Sequence, residues 1–255
     1  MAFAQHTSNA PLFNIRYSAF LGTLFLSDDN SRAAISAVKA EIGEETVKKG
    51  FQGNNSESTK AVAKLRDQGV LFGRMNGRLT GVRKIERTVN GRVTPYLSVT
   101  LSDDDGKYNL SIPVGDRAAQ MLVRKLVNAK PELYTELNMF ATYGQREGAD
   151  RAYAEHGASL KQGEQPVEVA GVNPKDVLVP IIETAMAALS SAGIEETDKD
   201  TRGKRRASIT TQYHVELIDG IQKAFEEYYA AREQSQPVST TYGPEHADYE
   251  EDVPM

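Results

Sequence analysis

The alternation of apolar and polar residues is clearest between residues 70 and 112. Asn90-Gly91 separates two runs rich in β-branched and aromatic residues, and Asn-Gly favours a type I′ turn because both positions need positive φ. A two-residue loop there fixes the hairpin register, in which Val82 faces Val99 and Lys84 faces Leu97. The core side then also carries Val93, and the opposite side carries Arg83, Ile85, Arg87, Arg92, Thr94, Tyr96 and Ser98.

The phase of this alternation changes upstream of the hairpin. Upstream, the apolar residues Leu71, Met75 and Leu79 have odd numbers, whereas in the hairpin the core side of the same strand carries even-numbered residues such as Val82. The side of the strand that faces the core must therefore switch from odd to even positions near Gly77 or Gly81. A glycine-containing β-bulge produces such a switch. The bulge keeps four arginines on the outward side, namely Arg74, Arg78, Arg83 and Arg87. A second hairpin at Asn76-Gly77 is the competing explanation.

The rest of the chain divides into helical and extended patterns. Apolar residues at helical spacing and capping residues predict helices over Ser31–Ile42, Thr59–Asp67, Asp116–Ala129, Lys175–Ala192 and Asp219–Arg232. Extended patterns predict strands within Leu12–Leu26 and over Lys107–Ile112, Leu133–Tyr143, Pro166–Val172 and Ile209–Leu217. Gly144–Gly163 is predicted to be a loop, and Glu195–Arg206 a charged connector.

The order strand, strand, strand, helix, strand, strand resembles that of the OB-fold, a small Greek-key barrel with a helix before its fourth strand. We therefore predict an α+β, mainly β chain: an OB-fold-like five-stranded barrel with additional helices and a disordered acidic C-terminal tail. The predicted divisions are an N-terminal strand and helix elaboration (1–68), the OB-like core (69–173), a helix–strand–helix extension (174–233) and the tail (234–255).

Composition removes several classes of protein. The chain has 255 residues and no cysteine, which excludes a disulfide scaffold, cysteine zinc sites, iron–sulfur clusters and thiol nucleophiles. The N-terminal residues lack a basic segment followed by an apolar one, so no signal peptide is predicted. Pro180 and Glu183 interrupt the longest apolar run, so no membrane span is predicted. We expect a soluble protein of the cytoplasm, or of the host cytoplasm if a phage encodes it.

Charge is strongly segregated along the chain, although the net charge is only −5. Residues 60–100 contain nine bases and two acids, whereas residues 226–255 contain eight acids and one base. A basic body with an acidic end is typical of a polyanion-binding surface joined to an anionic tail. A solvated charged face and a solubilising tail would give the same composition.

The sequence offers little catalytic chemistry. The four histidines, His6, His156, His214 and His246, lack metalloprotease spacing, and no phosphate-binding loop motif is present. Asp103-Asp104-Asp105 offers carboxylates to Mg²⁺, but its place between two strands favours a hairpin tip. We therefore predict no enzyme activity, no metal and no cofactor; a metal-dependent nuclease using Asp103 and Asp105 is a minor alternative.

Binding of single-stranded nucleic acid needs cations along the phosphates and aromatic faces for the bases. The chain has no tryptophan, so stacking falls to tyrosine and phenylalanine. Tyr96 shares the outward face of the hairpin with its arginines, and Phe72 stands beside Arg74. The predicted nucleic-acid-binding residues are Arg74, Arg78, Arg83, Arg87, Arg92, Tyr96, Phe72, Tyr143, Arg146, Arg151 and Tyr153. Core packing is the alternative for each aromatic residue taken singly.

The C-terminus carries a separate signal. An acidic run, Asp248, Glu250, Glu251 and Asp252, leads into Val253, Pro254 and Met255 at the end of the sequence. This pattern resembles the tail of bacterial single-stranded DNA-binding proteins, in which acids precede a terminal Ile-Pro-Phe. The resemblance implies that the tail docks replication or recombination proteins.

The whole organisation resembles a phage-type single-stranded DNA-binding protein. Such a protein coats single-stranded DNA during replication or recombination without sequence specificity, and we hypothesise that the acidic tail competes for the same groove. The alternative is a protein–protein adaptor or virion-assembly protein that does not bind nucleic acid. The sequence leaves the oligomeric state and the choice between DNA and RNA open.

Overall fold

The computed structural model describes residues 11–145, 152–169, 174–193 and 199–235. The helices in these ranges are α1 (Asp29–Ile42), α2 (Glu44–Lys48), α3 (Glu57–Asp67), α4 (Arg117–Leu126), α5 (Pro174–Ser191) and α6 (Lys199–Ser235). The strands are β1 (Leu12–Ser18), β2 (Thr23–Leu26), β3 (Phe72–Gly73), β4 (Met75–Val89), β5 (Arg92–Ser102), β6 (Lys107–Pro113), β7 (Tyr134–Gly144), β8 (Tyr153–Gln162) and β9 (Gln165–Pro166). The fold is mixed α+β.

The described strands form one sheet in the order β3-β2-β1-β6-β5-β4-β7-β8-β9, with a further pairing between β2 and β7. The run β4-β5-β6-α4-β7-β8 has the predicted order of elements. The predicted five-stranded barrel is not confirmed, because the sheet has nine strands. The physical reason is that β1 pairs in parallel with the edge of β6, so the N-terminal strands are part of the sheet itself.

The predicted hairpin register is confirmed. Val82 pairs with Val99 and Lys84 with Leu97, and the register shifts between Leu79 and Gly81. This shift is the predicted bulge, and β4 runs through Gly77, so no second hairpin forms at Asn76-Gly77. The turn residues Asn90 and Gly91 both have positive φ, as a type I′ turn requires.

The main core lies between the inner side of the sheet, α4 and α6. Its fully buried side chains include Leu79, Leu97, Leu110, Leu122 and Leu137. A second cluster joins α1 and α3 to the other side of β2; it includes Phe25, Ile35, Val38 and Leu65. The prediction that Val93 is a core residue is wrong, since 66% of it is exposed. Val93 lies near the tip of the β4–β5 hairpin, which extends beyond the packed body.

The region after β7 differs from the prediction. Gly144–Gly163 was expected to be a loop, but it contains β8, which pairs with β7 along its whole length. Of the predicted strand Pro166–Val172, only Pro166 lies in a strand, as the last residue of β9; residues 167–169 are outside any strand, and residues 170–172 lie outside the described ranges. Only Ala158 and Leu160 of β8 are buried, so the strand has little of the apolar alternation by which a strand is recognised.

From residue 174 onward, the described residues are helical except for the turn at Ala192 and Gly193 that follows α5. The strand predicted over Ile209–Leu217 is wrong, because α6 runs through it without a break. The alternation there was misleading: the buried residues are His214, Val215, Ile218 and Ile221, which follow helical spacing. Residues 199–206 of the predicted connector also belong to α6, and the helix predicted over Asp219–Arg232 is confirmed as its last part.

Helix α6 packs on α4 and along β4. The backbone N–H of Lys84 donates to Gln222 Oε1 at 3.3 Å, and Lys84 Nζ lies 3.3 Å from Asp219 Oδ1. The helix therefore covers the edge of β4 where β7 no longer pairs with it. Within the described ranges no helix combines the length and apolarity needed to cross a membrane.

Candidate nucleic-acid interface

The outward side of the β4–β5 hairpin carries a compact group of cationic and aromatic side chains. Arg87 pairs with Thr94, Arg83 with Ser98, and Tyr96 lies opposite Ile85. Residues directly opposite one another on antiparallel strands point to the same side of a sheet. The guanidinium carbon of Arg87 lies 5.0 Å from the centre of the Tyr96 ring, within cation–π range. The structure therefore brings Arg83, Arg87 and Tyr96 together, as the register predicts.

This surface continues onto β6 and β1. Ser98 pairs with Ser111, and Asn109 lies between Thr100 on β5 and Asn14 on β1. Ser98 Oγ donates to Asn109 Oδ1 at 2.8 Å, so part of the polar layer is already ordered. We call the outward side of β4, β5, β6 and β1 the outer face.

Arg16 adds a cation to the outer face that the sequence analysis missed. It is exposed on β1, two residues after Asn14 and therefore on the same side of the strand. Ile15 and Tyr17 on the other side pack against the main core. The alternation of these apolar residues with Asn14 and Arg16 is the signal that would have identified Arg16.

An open groove of about 790 Å³ separates the outer face from α6. The sheet contributes the cationic residues Arg83 and Lys107 to its lining, and the helix contributes Glu226 and Glu233. Tyr229 fixes the helix in place, because its hydroxyl lies 3.2 Å from Thr80 O and 2.6 Å from Glu132 Oε1. A polyanion on the outer face therefore meets a basic wall and an acidic one.

The other predicted arginines have different surroundings. Arg74 is exposed, but its Nη1 donates to Glu136 Oε1 at 2.6 Å, so a carboxylate already balances its charge. Arg78 is exposed and lies between Ser102 of β5 and Tyr134 of β7. Arg92 is exposed at the hairpin tip, where β5 begins. Arg78 and Arg92 therefore extend the positive charge of the β4–β5 hairpin in both directions from Arg83, whereas Arg74 is paired with Glu136.

Tyr134 is a second residue that the sequence analysis missed. It is 57% exposed and lies directly opposite Arg78 on the neighbouring strand. Thr135, Leu137 and Met139 are fully buried, so the alternation along β7 puts Tyr134 on the outward side. The sequence analysis predicts the strand Leu133–Tyr143 but assigns no side to its residues, so Tyr134 was not singled out.

Phe72 has a structural environment. It packs against the second core cluster and pairs with Phe25 of β2. The guanidinium carbon of Arg66 lies 5.8 Å from the centre of its ring. Phe72 is therefore not grouped with Tyr96.

Tyr143 and Tyr153 lie at the tip of the β7–β8 hairpin, where the chain connects the two strands. Tyr143 pairs with Ala154, and Tyr153 with Gly144. The Tyr143 ring covers Gly53, where an added Cβ would lie 2.9 Å from Tyr143 Cδ1. Along the β4–β7 pair, Tyr143 and Arg87 lie in opposite directions from the paired segment, so these tyrosines form a separate group.

Some predicted residues lie outside the described ranges. These are Arg146, Arg151 and the C-terminal residues Asp248, Glu250, Glu251, Asp252, Val253, Pro254 and Met255. Their proposed roles stay predictions from the sequence.

The acidic turn has the geometry of a hairpin tip. Asp103 Oδ1 accepts hydrogen bonds from the backbone N–H groups of Asp105 and Gly106, both at 3.0 Å. Among the residues that the structure describes, no three His, Cys, Asp or Glu side chains are grouped as a metal site requires. The tip residue Asp103 is thus engaged in shaping the turn between β5 and β6.

Comparisons with known proteins add little. No protein-family model matches the chain, and no curated protein matches it. Among solved structures, a solution NMR structure of the OB domain of the protein Ta0387 from Thermoplasma acidophilum is similar over 38% of this chain and 80% of that chain. The two share 14% identity with a TM-score of 0.19, a likeness that does not establish a shared fold.

Proposed function

We propose that this protein binds single-stranded DNA, without sequence specificity, through the outer face. The observation that carries the proposal is the stack of the Arg87 guanidinium on Tyr96 at 5.0 Å, with Arg83 on the same side of the same hairpin. A tyrosine ring and a guanidinium plane both accept the face of a base, and the guanidinium also attracts phosphate.

Selectivity for unpaired strands follows from the same chemistry. Base stacking on an aromatic side chain contributes about 1–3 kcal/mol per base, but only where the face of the base is accessible. A duplex hides those faces and offers only phosphates to Arg83 and Arg87. The polar side chains of β6 and β1, such as Asn109, supply further hydrogen-bonding groups that any base or phosphate can use.

We also propose that the core is OB-like in its use of strands. In that fold, oligonucleotides bind across the second and third strands and the two hairpin loops. The corresponding strands here are β5 and β6, and the corresponding hairpins are β4–β5 and β7–β8. In this assignment, additional contacts come from Arg92 at the tip of the β4–β5 hairpin and from Tyr143 and Tyr153 at the tip of the β7–β8 hairpin.

The biological role we infer is that of a DNA-coating protein in phage replication or recombination, acting in the host cytoplasm. This part of the proposal is supported by the acidic tail, whose last residues Val253-Pro254-Met255 resemble the partner-docking end of bacterial single-stranded DNA-binding proteins. The tail would contact replication or recombination proteins while the outer face contacts DNA.

A fluorescence-anisotropy titration tests the proposal directly. Labelled oligothymidylate and a duplex of equal length are titrated with the full chain at low and at physiological salt. We expect saturable binding of the single strand, weaker binding of the duplex, and loss of affinity as salt rises, because counterions are released from neutralised phosphates. Equal affinity for both forms, or no binding at low salt, would contradict the proposal.

A protein–protein adaptor is the second candidate, and an apolar groove favours it. The groove has a volume of about 310 Å³ and is lined by residues of β1, β2, β3 and β6, with Leu71 64% exposed at its side. Exposed apolar surface of this kind is common at protein interfaces. This candidate expects no retention of oligothymidylate in the titration above.

A further inference from the structure

A cleft away from the outer face gathers ionisable side chains from three elements. It lies among α4, β8, α5 and α6 and has a volume of about 320 Å³. Arg117 and Arg124 come from α4, Glu155 and His156 from β8, and His214 from α6. The proposed DNA contacts use none of these residues.

The two arginines stand on one side of α4. They are seven positions apart, which is two helical turns and about 10 Å along the axis. Burial is the main cause that lowers the pKa of both His156 and His214. The charge of Arg117 further lowers the pKa of His156, and the charge of Arg124 contributes to lowering that of His214. The positive charges of the two arginines therefore oppose protonation of the two imidazoles in the cleft.

His214 carries a polar atom that lacks a partner. Only 2% of the residue is exposed, and its Nδ1 lies 2.7 Å from Thr210 O. A carbonyl oxygen can only accept, so Nδ1 is the protonated nitrogen and Nε2 has the free lone pair of the neutral ring. Nε2 is buried and has no hydrogen-bond partner among the described residues. A buried polar atom is destabilising if it stays unsatisfied, so this nitrogen points to a ligand in the cleft.

His156 is held in a fixed orientation on the opposite wall. Its Nδ1 lies 2.7 Å from the hydroxyl oxygen of Tyr17, which is also 3.2 Å from Phe140 O. A hydrogen bond at one ring nitrogen sets the direction in which the other nitrogen points. Hydrogen bonds at Nδ1 thus orient both histidines, with Tyr17 in the case of His156 and with Thr210 in the case of His214.

We propose that this cleft binds a phosphate group, either as inorganic phosphate or as the monoester of a small ligand such as a nucleotide. The Arg117 guanidinium suits a dianion, since charge-assisted hydrogen bonds to phosphate are strong and arginine can make two in parallel, and Arg124 adds positive charge to the lining of the same cleft. Protonation of His214 on binding turns the unpartnered Nε2 into a donor to a phosphate oxygen. The volume of the cleft is at the lower end of that of small-molecule pockets, so a small phosphate-bearing ligand fits it by size.

NMR of the histidine ring C2–H signals of the full-length chain tests the proposal. Inorganic phosphate and thymidine monophosphate are added separately near neutral pH, with chloride at the same ionic strength as the comparison anion. We expect saturable shifts of the His156 and His214 signals and an increase of both pKa values on binding. A lower dissociation constant for the nucleotide would identify a nucleotide ligand, whereas equal or weaker binding than that of inorganic phosphate would identify the free anion.

The Arg117→Gln variant is the main test of the site, since Arg117 is exposed and its removal leaves the core intact. We expect it to weaken phosphate binding at least tenfold. The matched control is Arg32→Gln on α1, which should bind as the wild type does. The proposal is overturned if phosphate leaves both histidine signals unchanged, if chloride at the same ionic strength shifts them equally, or if Arg117→Gln binds like the control.

Discussion

Tyr96 is the residue on which base stacking should depend most. Its ring is half-buried on the outer face and is held against the Arg87 guanidinium. We expect Tyr96→Ala to weaken binding of oligothymidylate about 5- to 150-fold, which corresponds to the loss of about 1–3 kcal/mol of stacking. The measurement is the anisotropy titration at one fixed salt concentration.

The matched control for this change is Tyr96→Phe. It keeps the ring and removes only the hydroxyl, so its affinity should stay within about threefold of that of the wild type if stacking dominates. If Tyr96→Ala is folded and binds as tightly as the wild type, the role given to Tyr96 is wrong.

The acidic wall of the groove should oppose DNA binding. Glu226 and Glu233 line the groove opposite Arg83 and Lys107. We expect the double change Glu226→Gln and Glu233→Gln to tighten oligothymidylate binding a few-fold at low salt, and less at high salt, because screening weakens interactions between exposed charges.

Glu227→Gln serves as the control for that change. Glu227 is exposed on the same helix and lies 3.8 Å from Lys223 Nζ rather than in the groove. An equal gain of affinity in this variant would mean that overall charge, and not the groove, sets the effect.

Individual residues of the candidate site were predictable to different degrees. Arg83, Arg87 and Tyr96 followed from the register of a two-residue turn, because period-two geometry then decides the side of every side chain. The cleft around His214 was not predictable, since it joins residues from α4, β8 and α6 that no local pattern relates. Phe72 was assigned to the binding surface because it stands beside Arg74 in the sequence. That local position does not reveal that Phe72 packs against the second core cluster, which includes residues of α1 and α3.

Gly77 is the position in β4 where a side chain is least tolerated. Its φ is +147°, and an added Cβ would lie 2.8 Å from the backbone oxygen of Ser102. We expect Gly77→Ala to lower the free energy of unfolding by about 1–3 kcal/mol, since the contact is with backbone and the conformation suits glycine. Urea denaturation followed by circular dichroism measures the change.

The same substitution at Gly203 should raise the stability that Gly77→Ala lowers. Gly203 is exposed within α6, and an added Cβ would meet nothing within 4 Å. Gly203→Ala should raise stability by up to about 1 kcal/mol through helix propensity. Similar effects of the two substitutions would contradict the environment assigned to Gly77.

The secondary structure was predictable for elements that bury one face in the core and expose the other, because their apolar residues then form a regular pattern. The β4–β5 hairpin and α4 carry continuous apolar rows, and both were predicted within a few residues. Strand β8 was missed because only Ala158 and Leu160 are buried, and the central part of α6 was taken for a strand because Ile209, Thr211 and Tyr213 favour β structure locally. In α6 the packing of Val215 and Ile218 against the core overrides that preference.

Stability of the whole molecule should fall in mild acid. Burial is the main cause that lowers the pKa of both His156 and His214. The unfolded chain then binds more protons than the folded one, so stability is retained above the ordinary histidine pKa of about 6.5 and falls as the pH drops below it. Thermal melts at several pH values in buffers free of phosphate should show this decline.

The His214→Asn variant isolates the contribution of one histidine. The asparagine amide can replace Nδ1 as donor to Thr210 O but does not titrate. We expect its melting temperature to vary less between about pH 7.5 and pH 5.5 than that of the wild type. An identical pH dependence in both proteins would show that His214 does not take part.

At the scale of the whole chain, the account depends on a cationic and aromatic outer face that contacts DNA phosphates. The salt dependence of oligothymidylate affinity measures those contacts, and removing one contact to a single strand reduces the slope of log K against log salt by about 0.7. The double change Arg83→Gln and Arg87→Gln should therefore reduce the slope by about 1.4. The charge-matched control, Arg32→Gln with Lys48→Gln on α1 and α2, should leave the wild-type slope unchanged. Equal slopes in the two double variants would contradict the account.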